Sequence, residues 1–494
     1  MQPATAESLD NLLAGVAHRI QGNPATAVSS IATDSRRVQP GALFFCLRGA
    51  RVDGHDFANA AAAAGAAAIV AERPVAVPQN LPVAIVADVL AALSRVSSRF
   101  YDDPSGHMVM VGVTGTNGKT TTSYFIEAIA RSAGQQFGVI GTLGARLGAE
   151  TIEQLTNTTP FANDLQRILA VFRDAAARGT VLEVSSHALE LHRVDDVAFD
   201  IALLTNLTQD HLDFHQTFDR YRAAKRKLFA REAGKGGQAP VAVLNVDDAE
   251  GRALASTCQR RLTYGIENPD AMLRATDVTM GAAGSRFAVR ALRPTPFSIR
   301  LPGAFNVANA MAALAVGCAL DFDVEAIAEG LESLTEVPGR MISVPAGEIG
   351  VYIDYAHTPD GLEQVLRATR TLTSGRLVCV FGCGGNRDAA KRPRMGTIAQ
   401  ELADYVILTT DNPRHEDPQA IVDGILAGMN PEKVRIETIP DRAAAIARAV
   451  EIAQPGDAVL VAGKGHEDYQ IFGDERRPFS DTIAARDAIE QVAG

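Results

Sequence analysis

The chain has 494 residues, too many for one core and enough for about three domains, and its 47% apolar content is that of an ordinary globular protein. A formal net charge of −11 excludes the basic footprint of a general nucleic-acid binder, so any anionic ligand must be held by local clusters of Arg, Lys and backbone N–H groups. Five scattered cysteines, no signal-peptide pattern and no apolar run of membrane-spanning length point to a reducing, cytoplasmic setting without disulfides or membrane insertion.

In chain order, residues 1–105 read as a small α/β domain: a turn with Asp34 and Ser35, a strand ALFFCL, a loop with Arg48, Arg51 and Asp53, a helix through the alanines and a strand AAIVAE. Ser35, Arg36, Arg48 and Arg51 either hold an anion or are solvated loop charges. DDPSGH, at 102 to 107, has the turn chemistry of a boundary.

The central unit, 106–337, opens with the stretch that organises the chain. MVMVGV suits a buried parallel strand, TGTNGKTTT a loop, and SYFIEAIARSA a helix with Phe125, Ile126, Ile129, Ala130 and Ala133 on one face. Gly115 and Gly118 let the backbone approach a polyphosphate, Lys119 adds a point charge, and Thr120 offers a hydroxyl to Mg2+. The spacing departs from the strict Walker A pattern, because Val113 stands where its first glycine would be.

Further on, TNTTP precedes a helix-like stretch, and Glu183 lies near the end of the apolar run in TVLEVSSHALELHRV. An acid at the carboxyl end of a sheet strand lies beside the ligand crevice, which makes Glu183 a metal-ligand candidate. Asp210, His211, Asp213 and His215 have the composition of a zinc site without its spacing, and fit a Mg2+ or supporting role better. In FDRYRAAKRKLF, the residues Phe218, Tyr221, Lys225, Leu228 and Phe229 share one helical stripe. Lys225 there either snorkels to the surface or is buried; a buried neutral amine is nucleophilic and can take up CO2 as a carbamate, an anionic metal ligand. Residues 240 to 300 read as β-rich, followed by a helix in which Asn306 and Asn309 either contact a base or cap the start.

The third unit, 338–494, follows VPGR and alternates strand and helix. Its apolar strands end in polar, glycine-bearing loops, the arrangement that builds a crevice at the carboxyl edge of a parallel sheet. Asp354, His357, Arg387, Lys391, Asp411, Asn412, Arg414, Lys464, His466 and Glu467 gather there on this reading. Cys379 and Cys383 read as small buried residues at a strand end, since no second pair completes a metal site.

TGTNGKTTT, EVSSHALELHRV, TNLTQDHLDFH, YRAAKRKLF, GAFNVANAMAAL, DYAHTPD, FGCGGNRDAAKRPRMG, DNPRHEDP and GKGHEDYQ occur in an order that resembles the ATP-dependent Mur ligases of peptidoglycan synthesis, over essentially the whole chain. Within that family the chain looks most like members that add meso-diaminopimelate to a UDP-N-acetylmuramoyl dipeptide. The resemblance implies an α/β protein of three domains: a small N-terminal domain for the uridine nucleotide, a central P-loop ATPase-type domain with a mostly parallel sheet, and a C-terminal Rossmann-like domain for the amino acid. It implies ATP and Mg2+, no nucleic-acid partner and a monomer.

By the same resemblance, Ser35 with Ala50, Arg51 and Val52 would hold the uridine diphosphate, and Asn157, Thr158, Thr159, Ser185 and Arg193 the rest of that substrate. Gly115, Thr116, Asn117, Gly118, Lys119, Thr120 and Thr121, with Asn309, Arg340 and Asp354, would bind ATP. Thr120, Glu183, His211 and carbamylated Lys225 would bind metal, and Lys119, Glu183, His211 and Lys225 would carry the chemistry. Arg387, Asp411, Asn412, Pro413, Arg414, Gly463 and Glu467 would hold diaminopimelate. Two positions depart from the family pattern: Leu191 stands where a glutamine can occur, and Gln216 where a glycine is common. A folylpolyglutamate-type synthetase shares the phosphate loop but not DNPR, and a P-loop switch or transport ATPase would leave the third domain's polar loops without a purpose.

Overall fold

The computed structural model describes residues 6–49, 52–230, 238–281, 284–292 and 296–493. It is a mixed α/β protein whose sheets are mostly parallel. The chain falls into two compact units, Met1–Thr114 with Gln135–Ala202 and Ala224–Val241, and Gly115–Gly134 with Leu203–Ala223 and Ala242–Gly494.

In the first unit, a sheet orders His18–Gln21, Val83–Val86, Ala68–Ala71, Ala42–Phe45 and Ser30–Ala32, parallel except at the first pairing. Alternation sorts its side chains onto two faces: Leu43, Phe45, Val70 and Ala84 pack with the helix Val89–Phe100, while Ala42, Phe44, Ile69 and Cys46 form a separate cluster with Ala58 and Ala61. Asp88 caps that helix by accepting from the N–H groups of Leu90 and Ala91, both at 2.9 Å. A second set of strands in this unit runs Phe137–Gly141, Gly179–Glu183, Val109–Thr114, all parallel, with Val113 opposite Glu183. The helix Ala162–Asp174 covers them through Leu165, Ile168, Leu169 and Phe172.

In the second unit, the helix Lys119–Ser132 packs on Ala304–Ala319 and Val324–Ser333. Contact with the latter is close enough that a Cβ on Gly330 would lie 2.4 Å from Ile129 Cα. Arg261–Gly265, Leu273–Gly281, Gly284–Val289 and Phe297–Ile299 supply the β-rich stretch. A six-stranded sheet follows in the order Ile342–Val344, Gly350–Asp354, Ala458–Ala462, Leu377–Phe381, Tyr405–Leu408, Arg435–Thr438, parallel except for the first pair. The last strand of this sheet in chain order, Ala458–Ala462, thus lies between Gly350–Asp354 and Leu377–Phe381. Because these strands run parallel, the loops beyond Asp354, Phe381, Leu408 and Ala462 lie at one edge, the carboxyl edge of the sheet.

Two expectations change. Phe218 leaves the apolar stripe: it opens the helix Phe218–Arg226 and is 38% exposed, whereas Tyr221, Lys225 and Leu228 are buried. The helix ends at Arg226, so Leu228 is buried from the following turn. Cys379 and Cys383 are buried free thiols, as read from the sequence.

Candidate active site

The phosphate loop is held by a second loop within its own unit. Gly115 has φ +147 and a Cβ there would lie 1.9 Å from Thr205 Oγ1; Gly118 has φ +85 and a Cβ would lie 2.3 Å from Asn309 Oδ1. Only glycine fits either place. Thr205 Oγ1 donates to Asn117 O at 2.6 Å, Asn117 N donates to Asn206 Oδ1 at 2.9 Å, and Thr116 N donates to Asn206 O at 3.0 Å. The Thr116 hydroxyl lies 3.0 Å from the buried Tyr221 hydroxyl and donates to Thr208 O at 3.0 Å. Lys119 Nζ donates to Gly115 O and Thr116 O at 2.9 and 3.0 Å, folding its ammonium over the loop. Thr120 and Thr121 are buried in the first helical turn.

Loops of the six-stranded sheet reach the same place. Arg340 Nη2 donates to Thr120 Oγ1 at 3.3 Å and its guanidinium stacks 4.7 Å from the Tyr355 ring centroid. Asp354 is buried and accepts from Met341 N and Ala356 N at 2.8 and 2.7 Å; burial raises its pKa against the pull of Arg340. Asn117 Nδ2 donates to Asp360 Oδ2 at 2.6 Å. Asn309 donates to Asn306 Oδ1 at 3.2 Å, and Asn306 donates to Pro302 O at 2.8 Å. Neither caps the helix, whose N-cap is Gly303. Thr116, Asn117, Gly118, Lys119, Thr120, Asn309, Arg340 and Asp354 are thus interlinked.

Beside them, Asp210 is buried, and its carboxyl is held down to about 2: burial works to raise it, but His211, His357 and Lys391 outweigh that. Lys391 donates to His357 O at 2.7 Å, and His357 is depressed to about 4 by burial and by Lys391. His211 adopts φ +55 and its Nε2 lies 3.4 Å from Asp210 Oδ2. Among the described residues no three His, Cys, Asp or Glu side chains are gathered as a metal cluster.

In the first unit, Glu183 closes its strand and is buried. Its Oε1 accepts from Thr142 N at 3.2 Å and its Oε2 from Thr142 Oγ1 at 3.0 Å, while Thr158 Oγ1 lies 3.1 Å from the same hydroxyl. Thr159 Oγ1 donates to Glu183 O at 2.8 Å and accepts from Ser185 N at 3.0 Å; Ser185 caps the helix Ser186–Glu190. Arg193 Nη1 donates to Thr159 O at 2.7 Å, and its guanidinium lies 4.3 Å from the Phe161 ring centroid. Its Nε has no partner among the described residues, and burial pulls its pKa down to about 10. Such a cation, with only a carbonyl and a ring beside it, is poised for an anion.

Lys225 is 3% exposed, with Nζ 3.5 Å from Thr114 Oγ1, which donates to Val184 O at 2.8 Å. It does not snorkel. Asn157 is exposed and joins none of these contacts. Ser35 begins a short helical turn capped by Asp34, and Arg36 and Arg48 are taken up by Asp34 and Glu72, at 2.7 and 3.1 Å. Val52 is exposed, and Ala50 and Arg51 lie outside the described residues. Leu191 ends the helix Ser186–Glu190 and brings no polar group, while Gln216 takes φ +66, keeping the turn a glycine would make at some strain.

The crevice of the six-stranded sheet holds the remaining candidates. Asp411 and Asn412 are buried, Arg387 is exposed, and Arg414, at φ +54, donates from Nη1 to Gly385 O at 2.9 Å. Pro413 is buried between Asn412 and Arg414. Gly463 has φ +121, and a Cβ there would lie 3.1 Å from Asp411 Oδ2. Asn412 Nδ2 donates to Glu467 Oε2 at 2.8 Å. Sequence reasoning missed Thr142, Thr205, Asn206 and Asp360, small polar residues at strand or helix ends whose only signal is that position.

Three family profiles match the chain: the Mur ligase family catalytic domain at residues 27–101, the Mur ligase middle domain at 113–317, and the Mur ligase glutamate ligase domain at 339–465. A protein of Gloeobacter violaceus named UDP-N-acetylmuramoyl-L-alanyl-D-glutamate--2,6-diaminopimelate ligase is 44% identical over 490 residues, 98% of this chain and 99% of that one. One of the same name from Thermosynechococcus vestitus is 46% identical over 94% and 93%. A solved structure of an enzyme so named superposes with a TM-score of 0.69 at 34% identity, over 99% of this chain and all of that one. The MurF ligase of Thermotoga maritima in complex with ADP shares the fold, with a TM-score of 0.64 at 20% identity, over 94% and 97%.

Proposed function

The chain belongs to the Mur ligase family, and from that premise we propose that it is the ATP-dependent ligase that adds meso-diaminopimelate to UDP-N-acetylmuramoyl-L-alanyl-D-glutamate. The observation that carries the choice of amino acid is the DNPR loop: beside buried Asp411 and Asn412 it sets a partly desolvated guanidinium, Arg414, with carbonyls as its hydrogen-bond partners. Diaminopimelate differs from lysine by one carboxylate at its far end, which a planar guanidinium fork is suited to meet.

In this reading residues 1–105 bind the uridine nucleotide, 106–337 bind ATP, and 338–494 bind the amino acid. The γ-phosphoryl group passes to the free carboxylate of the nucleotide dipeptide, and the resulting acyl phosphate is attacked by the amine of diaminopimelate, releasing phosphate. Phosphorylation replaces oxide, an impossible leaving group, with phosphate. Lys119 and the N–H groups of the loop from Gly115 to Thr121 cradle the phosphates. Asn309, Arg340 and Asp354 hold the rest of the nucleotide. Ser35, with Ala50, Arg51 and Val52, takes the uridine diphosphate. Thr158, Thr159, Ser185, Arg193 and Asn157 take the dipeptide arm, with Arg193 as its buried cation.

Thr120 and His211 in the second unit, and Glu183 and Lys225 in the first, are the proposed metal-ligating residues. Hydroxyl and carboxylate oxygens are hard donors that suit Mg2+, which when bound offsets the charge of the phosphates. Lys225 serves as its carbamate: a protonated amine would repel a cation, and burial favours the neutral, nucleophilic form that takes up CO2. Arg387, Asp411, Asn412, Pro413, Arg414, Gly463 and Glu467 form the amino-acid site. The enzyme is proposed to act as a cytoplasmic monomer; among the described residues no helix is long and apolar enough to cross a membrane.

Phosphate release by the purified protein tests this. It should require the nucleotide dipeptide and diaminopimelate together, and ATPase activity indifferent to both would overturn it.

A further inference from the structure

We propose that Lys464 is a positioning residue of the amino-acid site: its ammonium holds Glu467, Asn412 and Asp411 in the arrangement that receives an ammonium group of the incoming amino acid. This rests on the function proposed above. Lys464 follows the strand Ala458–Ala462 and is flanked by Gly463 at φ +121 and Gly465 at φ +56, a backbone path that turns its side chain inward. It is 0% exposed. An ammonium has three hydrogens, and Nζ has three acceptors: Glu467 Oε2 at 3.0 Å, Asn412 Oδ1 at 3.2 Å and Asp411 Oδ1 at 3.5 Å.

Asn412 Oδ1 also accepts from Ile471 N at 3.0 Å, so two donors fix the amide's orientation and turn Nδ2 toward Glu467 Oε2 at 2.8 Å. Glu467 Oε2 is thereby saturated by two donors, and Oε1 is the oxygen left for a ligand. Asp411 is engaged likewise through Oδ1, while Oδ2 faces Gly463, where the missing side chain leaves room. Two carboxylates and one ammonium leave the cluster one negative charge, the complement of a single ligand ammonium. Without Lys464 the two carboxylates repel each other and the Asn412 amide loses one of the two groups that orient it.

The test is steady-state kinetics with three varied substrates on wild type, Lys464→Met, which keeps most of the stem, and Lys464→Gln, which keeps a donor without the charge. Both variants should raise KM for diaminopimelate by about 10- to 100-fold, the range for losing a hydrogen bond to a charged group, with a smaller fall in kcat. KM for ATP and for the nucleotide dipeptide should stay within about 3-fold, set against that range. An unchanged KM for diaminopimelate, or equal losses for all three substrates in both variants, would overturn the positioning role. Wild type that forms no product from diaminopimelate would overturn the proposed function instead.

Discussion

Arg414→Ala removes a cation that the fold partly desolvates and that, among the described residues, feels Asp411 and Glu467 only from beyond ion-pair distance. Among the described residues its guanidinium bonds carbonyl oxygens, of Gly385 at 2.9 Å and Asn412 at 3.4 Å, and no carboxylate lies within ion-pair distance. Burial, then the like charge of Arg387, lowers its pKa from the usual value. A ligand carboxylate relieves both penalties at once. Breaking such a charge-assisted pair costs about 4 kcal/mol, which at about 1.4 kcal/mol per decade is roughly a 10^3-fold loss of kcat/KM for diaminopimelate. Lysine lacks that carboxylate and has no such contact to lose, so its kcat/KM should move by a few-fold at most and the preference between the two amino acids should collapse. Coupled phosphate-release kinetics with diaminopimelate, lysine and ATP varied in turn measure all three. Equal losses toward ATP and diaminopimelate would refute the reasoning.

Lys225→Arg keeps a cation in the same buried place but offers no amine to CO2, and kcat should fall by about 10^2-fold or more, the scale for losing one electrostatic stabiliser; turnover near wild type would exclude the carbamate. Gly118→Ala places a Cβ 2.3 Å from Asn309 Oδ1 at φ +85, and strain of about 1–2 kcal/mol should raise KM for ATP by roughly 10-fold while leaving KM for diaminopimelate alone. His357 contributes a pH dependence of stability. Its folded pKa, about 4, lies below the ordinary 6.5, so the unfolded chain binds the extra proton between those values and stability falls as pH drops through that window. At pH 5 the loss is about 1–2 kcal/mol once its partial exposure is allowed for. Urea titrations from pH 7.5 to 4.5 should show this slope, shallower in His357→Asn; an unchanged slope would remove His357 as its source.

The elements around the phosphate loop were legible because their signals are local. The apolar run MVMVGV makes most of the strand Val109–Thr114, and a 3.6-residue stripe makes the helix Lys119–Ser132. Glu183 announced itself by standing at the end of an apolar run. Lys225 was legible as an oddity on an apolar stripe, but its burial rests on packing that no local pattern specifies, as Phe218 on the same stripe demonstrates by facing solvent. Thr205, Asn206 and Asp360 hold the phosphate loop from 88 to 243 residues away in sequence. Spacing within a motif cannot reveal such partners. Lys464 was visible as one of several charges near the crevice, yet its role emerges only when its three acceptors are seen around it.

The central claim is that this chain joins an ATP-activated carboxylate to a diamino acid selected by its second carboxylate. Mass spectrometry of reactions given ATP, the nucleotide dipeptide and equal diaminopimelate and lysine tests it most directly. The account predicts that the diaminopimelate adduct forms almost alone, with one phosphate released per adduct. Lysine adduct in comparable amount, or phosphate released with no adduct, would contradict it.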